Sequence, residues 1–120
     1  TYIDDIVEGV IRASDMIAEP NPDWDPREPD PASSDAPFRL YNIGNSAPVQ
    51  LLDFIEALEV SLGRKAERVL MPLQPGDALD TYADSDRLAR RINWRPATPV
   101  AEGVARFAGW YQDYAARRAE

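Results

Sequence analysis

The sequence contains no cysteine and no histidine among its 120 residues. Without cysteine, the chain can form neither a disulfide framework nor a reactive thiolate. Without histidine, it lacks the commonest general base and the commonest metal ligand of proteins. The scattered carboxylates also lack the spacing of a calcium-binding loop. The chain therefore offers no catalytic set of the Ser/His/Asp or Cys/His type, and we predict neither a catalytic residue nor a metal site.

Basic residues are also scarce, since 13 Lys and Arg face 21 Asp and Glu, a formal net charge of −8. An acidic chain is a poor partner for nucleic acid or for an anionic membrane surface. No apolar run approaches the length of a membrane span. The acidic start, Thr1–Asp5, differs from the basic start of a signal peptide and begins as if inside a cut element. We therefore predict a cytoplasmic chain, and we expect it to be truncated.

Apolar residues at helical spacing predict four helices. The predicted starts are Asp4 or Asp5, Pro48, Asp84 or Ser85, and Thr98 followed by Pro99. The first pattern ends before Pro20, because proline cannot continue a helix. The second ends at Gly63, a typical C-cap residue. In the last helix Phe107, Trp110 and Tyr111 have the spacing of core residues.

Two segments have the composition of short strands. Phe38–Ile43 carries apolar residues on both faces, and Glu67–Leu73 alternates between apolar and polar residues. Together with the helices they predict an α+β fold with two to three short strands. Because an isolated pair of strands is marginal in water, we expect these strands to require a partner sheet.

A proline-rich stretch separates the first helix from the first predicted strand. Residues 19–37 contain six prolines among acidic residues and serines. Proline removes backbone donors and prevents both helix and ladder, so this stretch is predicted to be a surface loop with extended character. Trp24 is a candidate to pin the loop to the body of the protein.

The turn Gln74-Pro75-Gly76-Asp77 is the best candidate for a binding site. Its rigid backbone can present the Asp77 carboxylate, which can accept two hydrogen bonds from the adjacent hydroxyls of a ribose. Gln74 adds a donor and an acceptor beside it. The alternative is an ordinary proline-glycine turn in which Asp77 accepts a hydrogen bond from a local N–H.

Other polar residues have simpler interpretations. Asp84 is predicted to cap the third helix, and Asp4 and Asp5 to cap the first helix and stabilise its dipole. Asn42 and Asn45 flank Gly44 after the first predicted strand, where ligands of α/β proteins often bind, but turn formation is the favoured explanation.

Four motifs occur in an order that resembles a known enzyme family. They are Tyr41-Asn42-Ile43-Gly44-Asn45, Gln74-Pro75-Gly76-Asp77, Thr81-Tyr82-Ala83-Asp84 and Asn93-Trp94-Arg95-Pro96-Ala97-Thr98-Pro99. This order, with the proline-rich stretch, resembles the C-terminal part of the extended short-chain dehydrogenase/reductase epimerases, most of all the bacterial UDP-glucuronate 4-epimerases. The chain lacks the glycine-rich dinucleotide fingerprint and the Tyr-x-x-x-Lys pair of that family, so the Rossmann core is absent.

The resemblance implies a role for the candidate turn. In such enzymes the residue matching Asp77 contacts the uridine ribose. The residue matching Gln74 is often an arginine that faces the pyrophosphate, and glutamine there is usual in the glucuronate branch. The change weakens a direct phosphate role for Gln74, and both residues remain predicted substrate contacts. The complete enzyme would hold NAD on a Rossmann domain, while this chain would bind no cofactor.

We therefore expect residues 1–120 to be a substrate-binding fragment of an NAD-dependent UDP-glucuronate 4-epimerase, inactive alone. Its expected partners are a UDP-sugar and the missing Rossmann domain, with self-association through the orphaned face. One alternative is a non-catalytic interaction module. Another is a fragment of a related UDP-glucose epimerase, dehydratase or decarboxylase.

Overall fold

The computed structural model describes residues 1–78 and 80–118; Leu79, inside the predicted loop 74–82, Ala119 and Glu120 lie outside the description. The described part contains four helices: α1 (Ile3–Ser14), α2 (Leu51–Leu62), α3 (Asp86–Ile92) and α4 (Val100–Arg118). Their number and order are those predicted from the apolar spacing. The chain forms two compact units: Thr1–Tyr2, Ala47–Tyr82 and Thr98–Glu120 make the first, and Ile3–Ser46 with Ala83–Ala97 make the second.

The predicted α+β class is wrong. Within the described residues there is no strand, and Phe38–Ile43 and Glu67–Leu73 form no sheet. Backbone pairing of the β type, in the part of the chain that the structure describes, consists of two isolated bridges, Asp25 with Glu28 and Ser33 with Arg39. A strand exists only where a neighbour satisfies its backbone N–H and C=O groups, and apolar alternation carries no information about that neighbour. Leu70, in the middle of the second segment, is 93% exposed.

The helix ends follow local rules, with corrections at α1 and α2. Helix α2 begins at Leu51, with Gln50 at the N-cap, and not at the predicted Pro48. Helix α1 already ends at Ser14, before the predicted end near Pro20. Gly63 has a φ of 64°, and its N–H donates to the Val60 carbonyl at 3.4 Å, so the predicted C-cap is confirmed. Helix α1 begins at Ile3, earlier than predicted, and Asp4 and Asp5 therefore lie in its first turn instead of at the N-cap. In that position their negative charges stabilise the positive end of the helix dipole.

The first unit is built on the packing of α2 against α4. Val104 and Ala108 are buried in α4, and Gly103 allows the ring of Tyr2 to lie against the helix, since a Cβ there would be 3.2 Å from the ring. The expectation that Phe107, Trp110 and Tyr111 belong to the core is wrong: these side chains are 51%, 56% and 48% exposed. Their spacing identified one apolar face of α4, but the packing of α2 on α4 buries Val104 and Ala108 at the side of that face and leaves the three rings about half exposed.

The second unit is built on the packing of α1 against α3. Leu88 is 2% exposed and is the largest fully buried side chain among the described residues. Gly9 of α1 lies close to Trp94 and Ile43. A Cβ added at Gly9 would be only 3.1 Å from the indole ring. The small residue in α1 thus allows close packing of the indole ring.

The proline-rich stretch is held in the second unit by polar contacts. Asp30 pairs with Arg87 of α3 at 2.7 Å and accepts a hydrogen bond from Ser33, which in turn accepts one from Asn21. The Arg87 guanidinium is the main cause that lowers the pKa of Asp30 to about 2. Trp24 is half-buried, and its ring N–H is buried without a hydrogen-bond partner among the described residues.

A buried carboxylate organises the residues that follow α2. Glu59 is 6% exposed, and it accepts hydrogen bonds from the Lys65 ammonium at 2.8 Å, the Ala66 N–H at 3.0 Å and the Arg68 guanidinium at 3.2 Å. These contacts, with Lys65 first, lower the pKa of Glu59 from 4.5 to about 2. One carboxylate thereby fixes the path of residues 64–68, which contain no secondary structure.

The depressed pKa of Glu59 predicts an acid-sensitive contribution to stability. The pKa of this carboxyl is lower in the folded chain than in the unfolded chain, so the ionised group stabilises the fold at any pH above the pKa of the unfolded chain. This contribution to stability disappears as the pH falls from 4.5 towards 2. We expect Glu59→Gln to lower the melting temperature at pH 7 by about 5 °C, because Lys65 and Arg68 lose their anion. The difference from the unmodified chain should shrink towards pH 2, as circular dichroism melts can measure. Glu56→Gln, an exposed change on the same helix, is the control, and an equal deficit at pH 7 and pH 2 would contradict the assignment.

Candidate functional site

The turn predicted as a binding site is formed by hydrogen bonds within the motif itself. The Asp77 N–H donates to the Gln74 carbonyl at 3.1 Å, and Gly76 has a φ of 94°. Proline followed by a residue of positive φ is the pattern of a type II turn, and only glycine adopts that φ without strain. The amide of Gln74 donates to the Pro72 carbonyl at 3.0 Å, which orients this side chain. The sequence therefore fixes the local shape of the turn without help from distant residues.

The side chains of the turn are accessible. Gln74 and Asp77 are both exposed. Within the described part of the chain, the Asp77 carboxylate has no hydrogen-bond or ion-pair partner. An exposed carboxylate beside an amide can accept hydrogen bonds from a diol. Whether the two residues contact a substrate stays a prediction.

Residues 83–85, which follow the predicted loop 74–82, are held in the second unit by hydrogen bonds from serine side chains. The buried Ser85 hydroxyl donates to the Gly44 carbonyl at 3.1 Å, and the Ser46 hydroxyl donates to the Ala83 carbonyl at 3.2 Å. Gly44 is buried against Ala83 so closely that a Cβ would lie 2.8 Å from the Ala83 Cβ. The Asn42 amide adds a longer contact with the Asp84 carbonyl at 3.4 Å. The partner of Asn42 is therefore a residue that is distant in sequence, not a neighbour within a turn.

Asp84 has the role predicted for it at the start of α3. Its carboxylate accepts a hydrogen bond from the Asp86 N–H at 2.9 Å, next to Ser85 at the N-cap position. The hydrogen bonds of Ser85 and Ser46 were not predicted from the sequence. Their only signal was the presence of small hydroxyl residues next to Gly44 and Ala83, and such residues are common in loops.

A cavity of about 340 Å³ lies in the second unit and was not predicted. Its lining is mostly apolar and comes from α1, residues 16–18, α3 and residues 39–43. The polar members are Ser14, Arg39, Tyr41 and Arg91. No predicted site residue borders it. Among residues 1–78 and 80–118 there is also no group of three or more acidic side chains that could hold a metal ion, and no helix is both long and apolar enough to cross a membrane.

Comparison with known proteins gives several relatives that match almost the whole chain. Protein CapI of Staphylococcus aureus is 48% identical over 114 residues, which are 95% of this chain and 34% of that protein. The probable UDP-glucuronate 4-epimerase of Rhizobium meliloti is 42% identical over 116 residues, again 95% of this chain and 34% of that protein. UDP-glucuronate 4-epimerase 5 of Arabidopsis thaliana is 35% identical over 115 residues, or 95% and 25%. No family model matches the chain.

These similarities define the class of protein. The chain spans a quarter to a third of the length of these relatives. It is homologous to the C-terminal part of a group of sugar-nucleotide epimerases that includes proteins named UDP-glucuronate 4-epimerases, and the resemblance drawn from its motifs is confirmed. Two of the three relatives are named UDP-glucuronate 4-epimerases.

Proposed function

We propose that this chain is the nucleotide-sugar-binding part of a UDP-sugar 4-epimerase, and that UDP-glucuronate is its sugar nucleotide. The names of the relatives support the substrate class. The observation that carries the role of the turn is the exposed Asp77 carboxylate, which has no partner among the described residues and is presented by a rigid Pro-Gly backbone.

The chemistry assigned to the turn is recognition and positioning. Asp77 accepts hydrogen bonds from the two ribose hydroxyls, and Gln74 contributes an amide beside the nucleotide. In the complete enzyme NAD supplies the oxidation and reduction at the sugar. The residues of this chain do not fit NAD binding, because the glycine-rich fingerprint is absent. We therefore assign no hydride or proton transfer to them, and the chain alone is expected to show no epimerase turnover.

Titration of the isotope-labelled chain with UDP, followed by NMR, tests the role of Asp77. We expect weak binding, with a Kd on the order of 1 mM, and amide shifts concentrated at Gln74, Gly76 and Asp77. Asp77→Ala should weaken binding about tenfold, because hydrogen bonds to a charged acceptor are lost. UDP is itself an anion, so removing a carboxylate for electrostatic reasons alone would strengthen binding.

Asp35→Ala is the matched control, since Asp35 is exposed and lies outside the turn. It should leave the UDP affinity unchanged. Shifts spread evenly over the chain, or equal affinities for Asp77→Ala and the unmodified chain, would contradict the proposal. Parallel titrations with UDP-glucuronate and UDP-glucose test the choice of sugar, and turnover by the purified chain would contradict its passive role.

A further inference from the structure

The cavity of the second unit combines two kinds of lining. Apolar side chains form most of it, among them Ile43 and Leu88, and the guanidinium groups of Arg39 and Arg91 border the same space. With a volume of about 340 Å³ the cavity has the size of a small-molecule site. Such sites are mostly apolar and contain a few polar groups that orient the ligand. No residue of the Pro-Gly turn lines the cavity, so it is a second candidate site.

The polar groups of the cavity are available to a ligand. Arg91 forms no hydrogen bond or ion pair with residues 1–78 and 80–118, and the Tyr41 hydroxyl forms no hydrogen bond with them. The Arg39 guanidinium donates to the Phe38 carbonyl at 2.8 Å and to no other group in the described part of the chain. A guanidinium has five donors in a planar fork, which matches the two oxygens of a carboxylate. This set of donors therefore selects an anionic group.

The charge at the cavity is positive, although the chain as a whole is acidic. No carboxylate is among the described residues that line the cavity, and charges more than about 8 Å away are largely screened at physiological ionic strength. The C-terminal ends of α1 and α3 reach the cavity with Ser14 and Ile92, and each helix end carries roughly half a negative charge. The two full positive charges of Arg39 and Arg91 outweigh these two partial charges.

We propose that the cavity binds an amphipathic carboxylate, with its aliphatic chain against the apolar lining and its carboxylate at Arg39 and Arg91. Water in a mostly apolar cavity finds few hydrogen-bond partners, so an aliphatic chain that displaces it gains affinity. The carboxylate accepts charge-assisted hydrogen bonds from the guanidinium groups, and the Tyr41 hydroxyl donates another. The cavity lies near the lower limit of small-molecule sites, about 300 Å³, so the chain is of medium length. For octanoate we expect a Kd on the order of 0.1–1 mM.

Titration of the isotope-labelled chain with octanoate, followed by NMR, tests the site. We expect saturable amide shifts concentrated at the segments that line the cavity, residues 10–18, 39–43 and 88–92. Each methylene added between hexanoate and octanoate should tighten binding about fourfold, because it buries more apolar surface. This gain should stop in longer carboxylates once the cavity is full. Shifts spread evenly over the chain, or a gain that continues undiminished to dodecanoate, would indicate adsorption to the surface and overturn the proposal.

Octylamine and octanol test the charge of the ligand. They carry the same aliphatic chain as octanoate, with a cationic and a neutral polar group. Each should bind at least about tenfold more weakly than octanoate, because the charge-assisted hydrogen bonds from the guanidinium groups are lost. Binding of octylamine as tight as that of octanoate would overturn the selection of an anion.

Arg91→Gln removes one of the two positive charges at an exposed position, and far-UV circular dichroism verifies that the variant is folded. It should bind octanoate about tenfold more weakly and octanol as before. Arg90→Gln is the matched control, because Arg90 is the neighbouring exposed arginine of α3 and does not line the cavity. Unchanged octanoate affinity in Arg91→Gln, or equal losses in both variants, would overturn the placement of the carboxylate. These titrations contain no nucleotide, so their failure is distinguishable from that of the proposed function.

Discussion

Replacing Leu88 by alanine should lower the free energy of unfolding by about 3 kcal/mol, the largest single effect that we expect in this chain. Leu88 lies in α3, is 2% exposed and packs in the second unit, where α1 contacts α3. Its removal costs the transfer free energy of the side chain and also leaves a cavity that the surroundings fill only partly. Because whole domains have stabilities of 5–15 kcal/mol, a loss of about 3 kcal/mol is a substantial fraction.

Urea denaturation followed by circular dichroism measures this effect. Leu70→Ala is the control, because it makes the same chemical change at a side chain that is 93% exposed. We expect the control to change the free energy of unfolding by no more than about 0.5 kcal/mol. Similar losses for the two leucines would mean that the core of the second unit is not where the structure places it.

Replacing Gly44 by alanine should lower the free energy of unfolding by about 1–3 kcal/mol, the second large effect that we expect. The added Cβ would lie 2.8 Å from the Cβ of Ala83, and neither atom belongs to a flexible side chain that could move away. Relief therefore requires a backbone shift, which would also disturb the hydrogen bond from the Ser85 hydroxyl to the Gly44 carbonyl.

The matched control is Gly109→Ala, whose effect on stability should have the opposite sign. Gly109 lies inside α4, and a Cβ there would meet no heavy atom within 4 Å. Alanine is favoured over glycine in a helix by about 1 kcal/mol, so this variant should be more stable than the unmodified chain. Thermal melts of the two variants, compared with that of the unmodified chain, measure both changes in stability. A stabilised Gly44→Ala variant would show that residues 44 and 83 are not in close contact.

The helices could be predicted because their signals are local. The C-cap at Gly63 and the capping interaction of Asp84 involve groups only a few residues apart, which the sequence places together by itself. The same is true of the Pro-Gly turn before Asp77, whose shape depends on residues 74–77 alone. The first helix was misplaced at its start, because Asp4 and Asp5 are suitable both for an N-cap and for a first turn.

The strands were predicted wrongly for the opposite reason. Alternating apolar residues in Glu67–Leu73 show that the segment could have one apolar face, whereas a strand also needs a neighbour for its backbone. The same limit applies to Phe107, Trp110 and Tyr111, since their spacing defined a face but could not show what covers it. The contacts of Glu59 with Lys65 and Arg68 were also missed, because the carboxylate was one of many in an acidic chain.

The sequence by itself determined the family, the four helices and the shape of the turn at Gln74–Asp77, because motifs and caps depend on residues that are close along the chain. Only the tertiary structure decided that the two extended segments lack a sheet, that Leu88 is buried and that the aromatic side chains of α4 are exposed. These outcomes depend on which surfaces meet. Burial and backbone pairing are properties of two partners, and the pattern of one segment cannot specify the other.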